Sequence, residues 1–348
     1  MMKYNPGMNF KPNHKKNDRI IDKNQIISIT SGILVFFLSL YLLPLYTDGD
    51  QTYYRRFWEA LANTNDSSLP DLLDLSFNYI GSREPLYPII SKAASSFIEK
   101  DLFISIINAA LAYVTSQYLC RLNVNPLLIF ITLTTNYYFL GFYLSAERLK
   151  FGMLFLILSC LCSKKFVLVF RLMSILAHMQ IASIYAICLF QKAWYSIADI
   201  VESGEIKLFV LTRRNLFVSL ISSLVVLSSA IFIPILLTHS AGKVDSYSKS
   251  FGTMEYLRTL MFYLGTVIVA RQYFRYLMLF LPLLVMVTVV GGDRLNFVGY
   301  LIFTDTAFRV RNGINIPSLL VTAYFTWAGF GFIQRVILYG DGWSAISN

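Results

Sequence analysis

Charge is scarce in this chain. Asp, Glu, Lys and Arg make up 14% of its 348 residues, against 56% hydrophobic and 16% aromatic. A soluble domain of this length could not bury so much apolar surface, and a mean hydropathy of +0.56 points the same way. Nucleotide signatures are missing as well: there is no P-loop and no G-x-G-x-x-G after a strand, which disfavours a soluble nucleotide donor. Cysteine is limited to Cys120, Cys160, Cys162 and Cys188, all in or at the ends of apolar runs. With no neighbouring His or acidic ligand they read as small core residues, not as a disulfide framework or metal site. No small-residue cleavage site follows the polar leader, so the leader is not read as a removable signal. Internal repeats and low-complexity segments are absent.

What is present is a series of uncharged stretches near the ~20 residues that cross the hydrocarbon of a bilayer. They lack the alternation of barrel strands, and backbone groups in lipid must be satisfied within the segment. The chain therefore reads as an all-α polytopic membrane protein. Its net charge of +10 follows the collection of Lys and Arg in cytoplasmic loops. No basic stretch is interleaved with stacking aromatics, so nucleic acid is not an expected partner; the lipid bilayer is.

The charge rule gives a topology. Residues 1–25, with Lys3, Lys11, Lys15, Lys16, Arg19 and Lys23, form a cytoplasmic polar leader, and 26–340 form one integral membrane domain. A first span over 26–46 leads outward to an acid-rich external loop, 47–84. A short interfacial helix over 85–98 follows. Spans are predicted over 102–119, 126–144, 149–162, 215–237, 256–270, 276–290, from about 297, and 316–338. External loops lie near 47–100, 238–255 and 291–296. The run 166–190 is read as two half-helices meeting near 177–180, since this keeps Lys192, Lys207, Arg213 and Arg214 inside.

Two ionisable residues in apolar runs stand out, Arg148 and His178. At membrane depth each would cost ~2.5–3.5 kcal/mol on insertion scales. Arg148 is either a snorkelling helix-end arginine or a bidentate phosphate clamp. His178 is either a satisfied core histidine or a general acid or base. Asp48 and Asp50, flanking Gly49, could cap a loop, bind sugar hydroxyls or, less specifically, hold a metal. Glu84 precedes Pro85, where a helix-dipole role competes with a carboxylate aimed at a sugar. Tyr53, Tyr54, Phe57 and Trp58 form an interfacial aromatic belt or a sugar-stacking platform.

The order of these motifs resembles a known family. It runs Asp48-Gly49-Asp50-Gln51-Thr52-Tyr53-Tyr54, Arg83-Glu84-Pro85-Leu86-Tyr87, Glu147-Arg148-Leu149-Lys150-Phe151-Gly152-Met153, Leu176-Ala177-His178-Met179-Gln180-Ile181-Ala182-Ser183 and Asp293-Arg294-Leu295-Asn296-Phe297-Val298-Gly299-Tyr300. Over about 46–300 this resembles the EpsG-like branch of the Wzy O-antigen and exopolysaccharide polymerases. Leu149 and Ala177 depart from the family pattern, which often has Gln and Phe there. The resemblance implies a GT-C-like bundle of about 9–11 transmembrane or re-entrant helices in a bacterial inner membrane. It implies a metal-independent, cofactor-free glycosyltransferase that joins undecaprenyl-diphosphate-linked repeat units at the periplasmic face. Arg148 and Arg294 would hold the diphosphate, and His178 or Glu84 would deprotonate the acceptor. Asp48, Asp50 and Asp293 would orient sugars or arginines, with Arg83 and Tyr54 in the substrate-binding set. A chain-length regulator and a flippase would be its partners. Two other classes compete. A membrane O-acyltransferase would need an early histidine after an arginine in the first spans, and the only early one is His14. A flippase or transporter would favour internal repeats.

Overall fold

The computed structural model describes residues 22–64, 68–179, 181–182, 184–185, 253–271, 276–277, 279–281, 283–284, 287 and 293–342. Secondary structure there is helical, without strands. Among the described residues, three helices are long and apolar enough to cross a membrane: α1 (Lys23–Leu42), α5 (Lys100–Arg121) and α12 (Ile316–Tyr339). A fourth crossing forms if α6 (Pro126–Thr135) and α7 (Tyr137–Leu144), bent by 50°, are one span. The predicted span over 215–237, the loop over 238–252 and nearly all of the leader lie outside the described residues.

α1 shows why these helices belong in lipid. Its buried stripe is Ile27, Ser28, Ser31, Gly32, Val35, Ser39 and Leu42, at helical spacing. Ile26, Ile33, Phe37 and Tyr41 point outward. Ser28, Ser31, Gly32 and Ser39 thus face protein among Ile27, Val35 and Leu42, so that small residues let the backbones approach, as is common for helix packing in membranes. The partner is α5, antiparallel: the Ser28 and Ser31 hydroxyls reach Ser116 at 3.2 and 3.4 Å, and Asn108 Nδ2 donates to Ser39 at 3.0 Å. A Cβ on Gly32 would lie 3.2 Å from the Ala109 carbonyl, so glycine sets how closely the two helices approach.

The bend between α6 and α7 has a definite cause. The Asn136 side chain accepts from the Tyr138 N–H at 3.0 Å, capping α7, and donates to the Tyr300 hydroxyl at 3.1 Å. A single straight span was expected over 126–144; the buried asparagine breaks it by offering the backbone a side-chain partner. Beyond the bend an aromatic core joins Tyr138, Phe325, Tyr300 and Phe262, with ring centroids 4.8–6.4 Å apart. It ties α7 to α12, α10 (Thr253–Ala270) and α11 (Asp293–Phe308).

Two readings of the segment after α1 are corrected. Residues 47–84 are not an open loop, because they fold into α2 (Asp50–Asn63) and α3 (Leu69–Ile80). α2 is amphipathic and buries Gln51, Tyr54, Phe57, Trp58 and Leu61 along one stripe. Of the proposed aromatic platform only Tyr53 is exposed; Tyr54, Phe57 and Trp58 pack inward. Lys92, on α4 (Leu86–Ser95), donates to the Leu61 carbonyl at 2.9 Å and to that of Thr64, capping the C-terminal end of α2. The cysteines are also not uniformly core: Cys120 is buried, Cys160 exposed and Cys162 between the two.

Candidate functional site

α8 (Glu147–Leu161) and α9 (Val167–Ala177) form an antiparallel hairpin that carries both of the costly residues. The hairpin is tight because of Gly152. A Cβ there would lie 3.2 Å from both the His178 Cβ and the Ser174 carbonyl oxygen, and 2.9 Å from Ile181 Cγ1. α9 stops at Ala177, and His178 is extended at φ −159°, ψ 114°. The break thus falls where the charge rule placed it. Residues 186–252 lie outside the described residues.

Glu84 is the centre of the site. It sits in the link between Gly81, left-handed at φ 64°, and α4. Arg148 NH1 donates to its Oε2 at 2.8 Å. His178 Nδ1 lies 2.9 Å from Oε1, and the Met179 backbone N–H donates to the same oxygen at 2.9 Å. Arg148 Nε also donates to the Tyr54 hydroxyl at 3.5 Å. The three side chains are 17%, 11% and 12% exposed for Arg148, Glu84 and His178, so each keeps an edge toward solvent. Burial alone would raise the Glu84 carboxyl. The His178 contact, the charges of His178 and Arg148, and the Met179 N–H outweigh it and hold the group down to about 2. Glu84, just ahead of α4, thus also meets groups from α8 and from the break after α9.

Directly behind this cluster is a second polar group that the sequence did not reveal. Glu147, fully buried, accepts from Lys100 Nζ at 2.7 Å, from Gln51 Nε2 at 3.0 Å and from the Tyr87 hydroxyl at 2.6 Å. Lys100 also donates to Gln51 Oε1 at 2.6 Å, and Gln51 donates to the Leu144 carbonyl. Helices α2, α4, α5, α7 and α8 thus meet at one carboxylate. Arg55 joins the assembly by bridging Asp101 at 3.0 Å and the Leu43 carbonyl at 2.8 Å. Buried Lys150 donates to the Tyr143 carbonyl at 2.8 Å. Tyr54 and Tyr87 connect the two groups, edge to face at 5.7 Å. The available signal was Lys100-Asp101 at the head of one apolar run and Glu147 with Lys150 at the head of another.

The remaining predicted residues divide. Asp50, exposed, opens α2, and Asp48, also exposed, lies on the turn before it. There the Thr47 and Asp48 N–H groups both donate to the Gly340 carbonyl at 3.0 Å, at the C-terminal end of α12. Arg83 turns away from the cluster. It pairs with Asp74 at 2.9 Å and lies 4.9 Å over the Phe77 ring, both charged partners being more than half exposed. Asp293 and Arg294 do not form a turn: they open α11. Their side chains lie outside the described residues. One turn on, Phe297 packs on Phe142 at 4.3 Å, near the α7 end that adjoins the site. No family model matches the chain, and neither a curated protein nor a solved structure matches it.

Proposed function

We propose that this chain is a membrane glycosyltransferase that polymerises polyprenyl-diphosphate-linked oligosaccharide repeat units, with Arg148, Glu84 and His178 at its active site. The observation that carries the reading is that cluster: a guanidinium, an imidazole and a carboxylate drawn together from α8, the α9 break and the α3–α4 link, each with an edge open. An arginine fork suits a diphosphate leaving group, and stabilising charge that develops there is often the largest catalytic contribution. The acceptor hydroxyl oxygen forms a bond to the anomeric carbon of the donor. The bond from that carbon to the diphosphate oxygen breaks, and its electron pair leaves with the diphosphate. The hydroxyl proton passes to His178 or Glu84. With Nδ1 turned toward Glu84, Nε2 is the imidazole nitrogen that would take it when the ring is neutral; a protonated ring leaves Glu84 as the acceptor.

Arg294 would add a second cation to the diphosphate, and Asp48, Asp50 and Asp293 would meet sugars. Arg83 leaves this set, because it is occupied by Asp74 on the surface. The proposal includes a GT-C-like bundle of nine to eleven crossing or re-entrant helices in a bacterial inner membrane, with the site on the periplasmic side. A flippase and a chain-length regulator would be its working partners. The test is the polymer ladder of a strain lacking the gene, complemented with Arg148→Ala or His178→Ala at normal protein levels. The expected outcome is collapse to single repeat units, with a rate loss of about 10²–10³-fold for Arg148→Ala. An unchanged length distribution removes both residues from the site, and complete loss of surface repeat units favours a flippase.

A further inference from the structure

Glu84 does more than accept an ion pair. Its two oxygens are met from two sides: Arg148 Nη1 donates to Oε2, the Met179 N–H donates to Oε1, and His178 Nδ1 lies 2.9 Å from that same Oε1. A guanidinium, an imidazole and a main-chain N–H converging on one anion are the donor set that binds a phosphate oxygen cluster. The donors belong to α8 and the end of α9, which Gly152 locks together. The acceptor comes from a short link between the left-handed Gly81 and Pro85. The donor side is thus carried by packed helices, while the carboxylate comes from a short non-helical link. The Met179 side chain beside it is 60% exposed, so the cradle opens to its surroundings.

We propose that Glu84 is a built-in occupant of a diphosphate-binding cradle, displaced by the diphosphate of the incoming substrate and released as the proton acceptor. This deepens, and rests on, the reading of Arg148 as the phosphate-binding residue. While held by Arg148 and His178, the carboxylate is a poor base. Once phosphate oxygens take over those donors, it regains ordinary carboxylate basicity beside the bound substrate. Substrate binding and activation of the base become one event, and the resting enzyme keeps its base quenched.

Binding to the purified full chain in detergent tests this without any polymerase assay. The probes are inorganic pyrophosphate and farnesyl diphosphate, titrated calorimetrically. Removing the competing negative charge in Glu84→Gln should tighten binding by about tenfold or more, since like charges in one site repel strongly. Adding Arg148→Ala to that variant should abolish the gain. Tighter binding of either probe supports the proposal, and the probe bound more tightly distinguishes a lipid diphosphate from a free one. Equal or weaker binding by Glu84→Gln, or no binding by either protein, overturns it. If Glu84→Gln does not fold, hydrogen exchange of the unsubstituted protein decides: pyrophosphate should speed exchange in the peptide over 81–90, and unchanged exchange at saturation overturns displacement. The two readings fail separately. Tighter binding by Glu84→Gln alongside a normal ladder for Arg148→Ala would sink the polymerase function and leave the anion cradle standing.

Discussion

Glu147 and Arg148 are neighbours in sequence, yet they belong to polar regions of opposite character. Glu147 points into the bundle, fully buried, with Lys100, Gln51 and Tyr87 around it. Arg148, about a hundred degrees round the same helix, points to Glu84 and keeps 17% of its side chain exposed. In the first region the donors named for Glu147 come from three different helices, so the carboxylate acts as a brace. In the second, Arg148, His178 and the Met179 N–H meet Glu84, and each of the three side chains keeps an open edge. Under the proposed function, the difference separates a polar network that fixes helices from one arranged to meet a ligand. It also explains why both stand together: a cradle for a charged substrate needs its arginine held on a backbone that does not shift.

The largest effect should come from breaking the brace. Glu147→Ala removes the nearer countercharge of buried Lys100, leaving only Asp101 at 3.9 Å, and should cost about 3–5 kcal/mol of stability, read as a fall in melting temperature of the detergent-purified protein. The pair Lys100→Met with Glu147→Leu should recover most of that loss. If Glu147→Ala melts like the parent protein, the contrast between the regions collapses. Next is the hairpin that joins them. Gly152→Ala pushes a methyl toward His178 and the Ser174 carbonyl and should cost about 1–3 kcal/mol, with loss of polymer beyond what the stability change explains. Gly331→Ala, where the new Cβ meets only Arg335 NH1 at 3.7 Å, is the matched control and should leave stability and polymer intact.

A smaller effect is expected from pH at the open cluster, where residual solvent contact screens the charges. The Glu84 carboxyl is held at about 2 in the folded chain against an ordinary 4.5. A depressed carboxylate contributes stability that is complete above pH about 4.5 and is lost as pH falls toward 2. Glu84→Gln should flatten that part of the curve of melting temperature against pH; an identical acid limb would mean the cluster is not formed in solution. The smallest effect belongs to Arg83→Ala. Its exposed pair with Asp74 should contribute at most about 0.5 kcal/mol, and polymer length should not change. A strong loss of polymer in that variant would return Arg83 to the substrate set.

Much of the helix layout was legible in the sequence, because lipid imposes it locally. A run of apolar residues between charged ends predicts where α1, α5 and α12 begin and end to within a few residues. α9 ends at Ala177, where the expected half-helices were to meet; the second half and the positive charges that suggested it lie outside the described residues. The helical character of 50–80 was not, because a loop-like acidic composition hid the stripe Tyr54, Phe57, Trp58 and Leu61. The bend at Asn136 was equally hidden, since one asparagine in an apolar run carries no sign of whether it caps a helix or pairs across one.

The sequence by itself determined that the chain is a helical membrane protein and that Arg148 and His178 are costly there. Both conclusions rest on the free energy of moving single groups into hydrocarbon, which needs no knowledge of neighbours. Only the tertiary structure decided which groups those two residues meet. Glu84 lies 64 residues from Arg148 along the chain, and Gln51 lies 96 from Glu147. Pairings over such separations leave no periodic mark in a single sequence. They exist because helix packing brings three or four elements to one point, where a buried charge must find its partner.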